Sequence, residues 1–245
     1  LKQSGLLLDL GNRHAKFARH DLAEVRRILL DPERVEASVA AVLQAWRDFA
    51  ADGPVLAASV APRWEAPLAA ALASVGAAPR WLRAAEIPLE RRTQGTGVDR
   101  LLGAWRAHLL AGGAAIVASL GTAFTLDAVD ASGVFRGGAI GPGLGVQETA
   151  LAAAAPHLPA PDPVWNGEGI PQDSAAAVAC GTRGALAAAL DAHARGFADL
   201  LAAPDCPRFL TGGDAERLLP LMRRAWRHEP NLVLAALAEL APQLR

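Results

Sequence analysis

Two turns far apart in the chain share one chemical pattern. Leu6-Leu7-Leu8-Asp9-Leu10-Gly11-Asn12 and Ile116-Val117-Ala118-Ser119-Leu120-Gly121-Thr122 each run from an apolar segment through a polar residue to Gly, followed by an amide or hydroxyl side chain. Each then enters an alternating stretch, Lys16 to His20 in one case and Phe124 to Val129 in the other. The pattern predicts strand, tight turn, strand, twice. Glycine lets backbone N–H groups approach an anion, and Asn12 and Thr122 add side-chain donors. Asp9 suits a hydrated Mg2+ beside a phosphate, and Lys16 suits neutralisation of a phosphate oxygen. A carboxylate buried behind an apolar run is costly without a partner, which sets Asp9 apart from an ordinary strand-end turn residue. One such turn alone is also what a plain β-hairpin looks like. Two with one grammar suit a nucleotide polyphosphate held in a cleft between two halves of a molecule.

Gly97-Val98-Asp99-Arg100 puts an acid at the start of a segment whose apolar positions include Leu102, Trp105 and Leu109. Helix N-termini favour acids for electrostatic reasons alone. The functional alternative is a general base that takes a hydroxyl proton before phosphoryl transfer. Thr125 and Asp127 follow the second turn, and Thr211-Gly212-Gly213-Asp214 sets consecutive glycines between a strand and a helix. A flat ring or a phosphate can approach such a turn closely, although many only connect elements. The chain has no G-x-x-x-x-G-K-S/T loop, Asp9-Leu10-Gly11 is not a dinucleotide fingerprint, and the histidines at 14, 20, 108, 157, 193 and 228 lack metal-ligand spacing.

The elements that must position these groups alternate in type. Leu6 to Leu10 reads as a central strand, with Ala15 to Asp21 as its hairpin partner and Val25 to Leu30 as a third strand. Asp31-Pro32-Glu33 reads as a helix start with Asp as N-cap. That helix runs to about Ala51, with Val35, Val39, Leu43, Trp46 and Phe49 on its apolar face. A strand at Val55 to Val60, a helix from Trp64 to Val75 closed by Gly76, a strand at Arg80 to Arg83, a polar loop from Glu90 to Gly97 and a helix from Val98 to Leu110 follow. The second half repeats the order. Strands run Ala115–Leu120, Phe124–Val129 and Gly133–Phe135, and a glycine-rich turn from Gly137 to Gly143 leads into a helix from Leu144 to Ala154. After a proline-rich loop from Pro156 to Pro171, Ser174 opens a long helix to about Leu201. Arg208 to Leu210 is a strand, and helices start at Ala215 and Leu232. Two α/β halves with mixed sheets fit this order. A single doubly-wound sheet fits less well, because tight hairpins follow Asp9 and Ser119 where parallel strands need crossovers.

Composition narrows the function classes. With 245 residues, 52% of them hydrophobic and 20% charged, the chain is globular. Basic and acidic residues number 24 and 25, so no global charge points to nucleic acid or to an anionic membrane. Cys180 and Cys206 lack C-x-x-C spacing and read as free thiols in a reducing cytoplasm. No signal peptide pattern is present at Leu1 to Gly11. The longest apolar stretch, Leu109 to Leu126, is broken by glycines at 112, 113 and 121 and reads as helix end, turn and strand, not as a membrane span. Lysine occurs only at 2 and 16, which makes Lys16 notable.

Asp9-x-Gly11-Asn12 with Lys16, Gly97-x-Asp99-Arg100, Gly121-Thr122-Ala123-x-Thr125-x-Asp127, Gly137-Gly138 with Pro142-Gly143, and Gly212-Gly213 occur in that order. Together they resemble type III pantothenate kinase, the group that includes the Bvg accessory factor proteins, from Leu6 to about Leu240. The resemblance implies two ribonuclease H-like halves of the acetate and sugar kinase/Hsp70/actin fold. The expected division is 1–112, completed by a C-terminal helix within 230–245, and 113–229. It also implies a cytoplasmic homodimer that phosphorylates pantothenate with ATP and Mg2+ in coenzyme A synthesis. By motif, Asp9, Gly11, Asn12, Lys16, Gly121, Thr122, Gly212 and Gly213 would bind ATP, with Asp9 also at the metal. Asp99 would be the base, and Gly97, Val98, Arg100 and Ser174 would surround pantothenate. Four positions depart from the family. Ser119 stands where much of the family has an Asp that binds K+ or NH4+, and a neutral hydroxyl is the poorer ligand. No tyrosine is available to pack on pantothenate before Gly97, Ser174 replaces a Thr, and Ala236 replaces a Gly. Two alternatives therefore stay open: a same-fold kinase with another small hydroxyl acceptor, and a catalytically weak ATP-binding regulatory protein.

Overall fold

The computed structural model describes residues 5–49 and 55–244. Two sheets form, and each places a hairpin turn after its first strand. The first contains β1 (Leu6–Leu10), β2 (His14–Arg19), β3 (Val25–Leu29), β4 (Val55–Ser59) and β5 (Pro79–Trp81) in the order β3-β2-β1-β4-β5. The second contains β6 (Glu90–Arg91), β7 (Ala115–Leu120), β8 (Ala123–Val129), β9 (Val134–Pro142), β10 (Arg208–Gly212) and β11 (Arg227–His228) in the order β11-β10-β7-β8-β9-β6. Apart from β6, the two sheets have one topology. The first strand pairs antiparallel with the second, the second antiparallel with the third, and the first parallel with the fourth and the fourth with the fifth. The repeated turn grammar of the sequence is thus a repeat of position, and a single doubly-wound sheet is not what forms.

The helices are α1 (Val35–Asp48), α2 (Pro62–Ala73), α3 (Val98–Ala111), α4 (Leu144–Ala154), α5 (Ser174–Ala179), α6 (Ala185–Leu200), α7 (Ala215–Leu218) and α8 (Leu232–Leu240). Chain contacts divide the protein into two compact units. One takes the chain up to Leu89, with Gln94–Arg106 and the stretch from Asn231 onward; the other takes Glu90–Thr93 and Ala107–Pro230. In the first unit, alternate strand residues Leu6, Leu8, Leu10 and Phe17 bury against Val42 and Phe49 of the α1 region and Trp64, Leu68 and Leu72 of α2. Helix α8 packs on β1 and β4. In the second unit, Ile116, Ala118, Leu120, Leu126 and Leu210 bury against Leu144, Leu186, Leu190, Ala194 and Leu218. Removing such apolar area from water contributes about 25 cal/mol per Å2. No helix among the described residues is long and apolar enough to cross a membrane.

Several local expectations change. Helix α1 starts at Val35, not at Pro32, because Asp31 closes a separate turn. Its side chain accepts from the Glu33 N–H, its carbonyl accepts from the Arg34 N–H, and Ser38 Oγ accepts from its own N–H. The buried side of α1 is Ser38, Val42 and Ala45, while Val35, Val39, Leu43 and Trp46 flank it as partly buried residues. The helix ends at Asp48, and Ala51 lies outside the described residues. Gly137 to Gly143 is not a turn: Gly137 to Pro142 continue β9, paired along β8. The glycines there answer close neighbours, since a β-carbon on Gly138 would run into the Leu126 carbonyl and one on Gly141 into the Phe124 ring. The long helix after Ser174 is interrupted by a π-helical turn at Cys180–Gly184. Inside that turn the buried Arg183 guanidinium donates to the carbonyls of Asp162, Pro163 and Trp165, which ties the proline-rich loop to the helix.

Candidate active site

The first hairpin is built by register. Asp9 on β1 stands opposite Lys16 on β2, and Lys16 Nζ lies 3.7 Å from Asp9 Oδ2. The Asp9 carboxylate is 17% exposed. Burial pushes its pKa above the ordinary carboxylate value, and the Lys16 charge pulls it part of the way back. The Gly11 N–H closes the turn on the His14 carbonyl at 2.9 Å, and the Trp64 indole N–H donates to the Asn12 carbonyl at 3.3 Å. Gly11 has no steric need to be glycine. A β-carbon there would meet only the His14 carbonyl, at an ordinary 3.5 Å. The missing side chain instead leaves the turn backbone bare for a ligand.

Asp99 is brought to the same end of this sheet. Val60 extends β4 beside Leu10, its N–H donating to the Leu10 carbonyl at 3.1 Å. A β-carbon on Gly97 would lie 3.1 Å from Val60 Cγ1 and 2.7 Å from Asp99 Oδ1. Asp99 sits in the first turn of α3, and its Oδ1 accepts from the Arg100 N–H at 2.7 Å. The Gly-x-Asp spacing therefore has a physical cause: the carboxylate folds back over residue 97. Asp9, Gly11, Asn12, Lys16, Gly97 and Asp99 thus gather at the carboxyl ends of β1 and β4, the usual ligand end of such sheets.

A second set converges within the other unit, at the carboxyl ends of β7 and β10. The Gly121 N–H donates to the Ala123 carbonyl at 3.1 Å, and a β-carbon on Gly121 would meet only that carbonyl, at 3.7 Å, so this turn is also bare. Gly143 donates to the Thr122 carbonyl at 2.9 Å. Gly212 pairs with Leu120 at φ +98°, where a β-carbon would enter the Leu120 backbone, and the Asp214 N–H reaches the Leu120 carbonyl at 3.3 Å. Gly121, Thr122, Gly212 and Gly213 therefore form one backbone-rich rim. Ser174 is not part of it; it stands exposed at the first position of α5, behind the N-cap Asp173.

The sequence pattern of type III pantothenate kinase matches residues 5–195. The chain belongs to that family. A type III pantothenate kinase of Chromobacterium violaceum is 34% identical over 244 residues, 96% of this chain and 98% of its own. One of Thiobacillus denitrificans is 33% identical over 248 residues, 96% of each chain. A crystal structure of a Baf family protein from Campylobacter jejuni superposes with a TM-score of 0.65 at 18% identity, over 97% of this chain and 98% of that one. An archaeal actin homolog does so at 0.51 and 9% identity, over 98% and 99%. At those identities the likeness shows the fold, that of the acetate and sugar kinases, Hsp70 and actin.

The type III pantothenate kinase reading implies a divalent metal, and the donor set fits Mg2+. Among the described residues no group of three or more His, Cys, Asp or Glu forms a metal cage. A single carboxylate beside a bare turn is how Mg2+ is commonly held, with substrate phosphates and water completing the shell. The strand position of Ser119 has a different character. Ser119 lies between Thr211 and Thr125 in one cross-strand row, so the row offers three hydroxyls and no carboxylate. Asp127, two residues beyond Thr125 on the same strand, is buried, with Oδ1 2.8 Å from where a Gly138 β-carbon would be. Sequence reasoning did not connect His14 and Arg27 with the first hairpin, where Arg27 Nη2 lies 3.3 Å from His14 Nδ1. Their signal was the register: if Lys16 pairs with Asp9, the next strand places Arg27 beside Lys16.

Proposed function

We propose that the chain phosphorylates pantothenate with ATP to give 4'-phosphopantothenate, the first step of coenzyme A synthesis, and that it works in the cytoplasm. The observation that carries this reading is the meeting of Asp99 and its Gly97 with the Asp9–Lys16 hairpin at one end of one sheet. The pantothenate hydroxyl lies beside Asp99, which takes its proton as the oxygen–phosphorus bond forms. The bond from the γ-phosphorus to the β–γ bridging oxygen breaks, and ADP leaves. Lys16 and the bare backbone at Gly11 and Asn12 bind the phosphates, as do Gly121 and Thr122, and the Gly212–Gly213 turn borders the adenosine. Gly97, Val98, Arg100 and Ser174 border pantothenate. Bound Mg2+, held through Asp9, supplies charge neutralisation on the phosphates. The reaction is mostly positioning and electrostatics, so the base contributes rate and not nucleotide affinity. The hydroxyl row at Ser119 offers K+ or NH4+ neutral oxygens only, a poorer ligand set than one with a carboxylate, and the assay with and without K+ reads whether one is used.

The protein acts as a homodimer in this reading, as exposed Leu200, Val164 and Ile170 suggest. A stable monomer in sedimentation at micromolar concentration would remove that part. The activity is tested by a coupled ADP-release assay against a panel of hydroxyl acceptors including pantothenate, with and without K+. Asp99→Asn keeps the shape and removes the base. Turnover falls about 10²-fold or more while ATP affinity holds. Wild-type turnover in that variant makes Asp99 a structural helix-start acid and ends the mechanism. ATP binding without turnover on any acceptor favours the regulatory alternative.

A further inference from the structure

One face of the first sheet carries more positive charge than its own carboxylates balance. Across β1, β2 and β3 the residues Asp9, Lys16 and Arg27 stand in one cross-strand row, and cross-strand partners share a face. His14, two residues before Lys16, lies on that face as well. The Arg27 guanidinium Nη2 is 3.3 Å from His14 Nδ1. Along the same face toward the sheet's other end, Leu7 and Ala18 are fully buried, so its open, polar part is the part next to the Gly11 turn. Neighbouring Arg26 shows the contrast. It is paired with Glu24 and Asp48 and stacks on the Phe49 ring, 5.1 Å from its centre. Arg27 is exposed, and no carboxylate among the described residues pairs with it. Lys16 already has Asp9, so Arg27 is the uncommitted cation of the row.

We infer that Arg27, seated on the His14 ring, is a second phosphate-binding cation of the first hairpin, beside Lys16. The inference rests on the proposed ATP site and extends it along the sheet. Burial, then the charges of Arg27, Lys16 and Arg13, hold the His14 pKa down at about 4, so the ring is neutral near pH 7. A neutral ring with its proton on Nε2 accepts from Arg27 at Nδ1, fixing the guanidinium's direction and leaving its other N–H groups for oxygen acceptors. A guanidinium fork matches two phosphate oxygens at once, which an ammonium cannot do. The ligand class is a nucleoside triphosphate or another linear polyphosphate. Lys16 meets one part of the chain and Arg27 the next.

The test uses the whole protein with Arg27→Gln, Arg27→Lys and Lys16→Ala. Steady-state KM for ATP and for pantothenate, kcat, and calorimetric Kd for inorganic tripolyphosphate are measured at low and high salt. Arg27 is exposed on the edge strand β3, and matched melting curves confirm that the variants fold. Arg27→Gln raises the KM for ATP and the Kd for tripolyphosphate about tenfold, the low end for a hydrogen bond to a charged group. It also flattens their salt dependence, while kcat and the pantothenate KM stay within about twofold. Arg27→Lys recovers part of the loss. If Arg27→Gln keeps wild-type KM and Kd while Lys16→Ala weakens both, Arg27 is a solvated surface cation and the ATP site stands without it. If the wild-type protein binds neither ATP nor tripolyphosphate, the ATP site and this inference fall together.

Discussion

The Oδ1 oxygen of Asp99 lies 2.7 Å from the place a β-carbon on residue 97 would occupy, so the carboxylate folds back over Gly97. The Arg100 N–H holds the same oxygen at 2.7 Å, and Val60 closes the space from the sheet side at 3.1 Å. An added methyl must move the carboxylate, since the strand behind it cannot yield as easily. Gly97→Ala is therefore expected to lower kcat by about 10- to 100-fold, the scale of a 1 Å misplacement of a reacting group, with ATP affinity unchanged. Steady-state kinetics beside calorimetry measures both. Full activity in Gly97→Ala would show that the position of Asp99 does not matter to the reaction.

In the proposed ATP site Lys16 has two tasks that one substitution separates by pH. Lys16→Ala removes a charge-assisted contact to phosphate and is expected to weaken ATP binding by about 1.5 to 3 kcal/mol. It also removes the charge and the hydrogen bond by which Lys16 lowers the Asp9 pKa, so burial acts on the carboxylate without that opposition. The proposed mechanism needs Asp9 ionised beside a metal-bound phosphate. The acid limb of the pH–rate profile, measured at saturating ATP, therefore moves to higher pH in Lys16→Ala. A limb at the wild-type position would take Asp9 out of the ionisations that govern turnover.

Much of the candidate site's local structure was legible because its signals are local. The strand–Gly–donor turns at Gly11 and Gly121 and the acid at the start of α3 depend on residues adjacent in sequence. The departures arise where a distant neighbour decides. Gly137 to Gly143 has turn composition, yet Gly137 to Pro142 belong to strand β9, where Leu126 and Phe124 on β8 leave no room for side chains at 138 and 141. Asp31-Pro32-Glu33 satisfies a helix-start pattern, but Ser38 pins Asp31 into a separate turn. Strands β6 and β11 have two residues each, too few to show a period. The nearness of Arg27 to Lys16 became visible only once the register from Asp9 through Lys16 was known.

The glycines divide into two kinds, and paired variants distinguish them. Gly212 has φ +98° and would drive a β-carbon into the Leu120 backbone. Gly212→Ala is expected to destabilise the fold by about 2 kcal/mol or more, since a positive φ alone costs about 1 to 3 kcal/mol for other residues. Gly11→Ala meets no clash, so its melting temperature stays near wild type while ATP affinity falls as the methyl covers the bare turn. Thermal melts with and without ATP read both effects. Gly11→Ala binding ATP normally would mean that no phosphate approaches that turn.

His14 makes stability depend on pH in a direction its environment fixes. Its pKa is lowered from 6.5 to about 4, by burial first and then by Arg27, Lys16 and Arg13. Between those two values the unfolded chain binds more protons than the folded one. Stability is then complete above about pH 6.5 and is lost as pH falls toward 4. Asp9 works the other way. Its folded pKa is raised, so the folded state takes up the proton first and gains relative stability as pH falls through that raised pKa. Solvent reaches this half-buried ring, so the effect between pH 7 and 5 is on the order of 1 kcal/mol after screening. Urea unfolding at the two pH values measures it, and His14→Gln should show a smaller drop than wild type. Arg27→Gln removes one of the three repelling cations and should raise the His14 pKa, read directly from its ring proton shifts in NMR. Equal drops in wild type and His14→Gln would place the pH sensitivity elsewhere. An unmoved ring titration in Arg27→Gln would mean that the two side chains do not interact in solution.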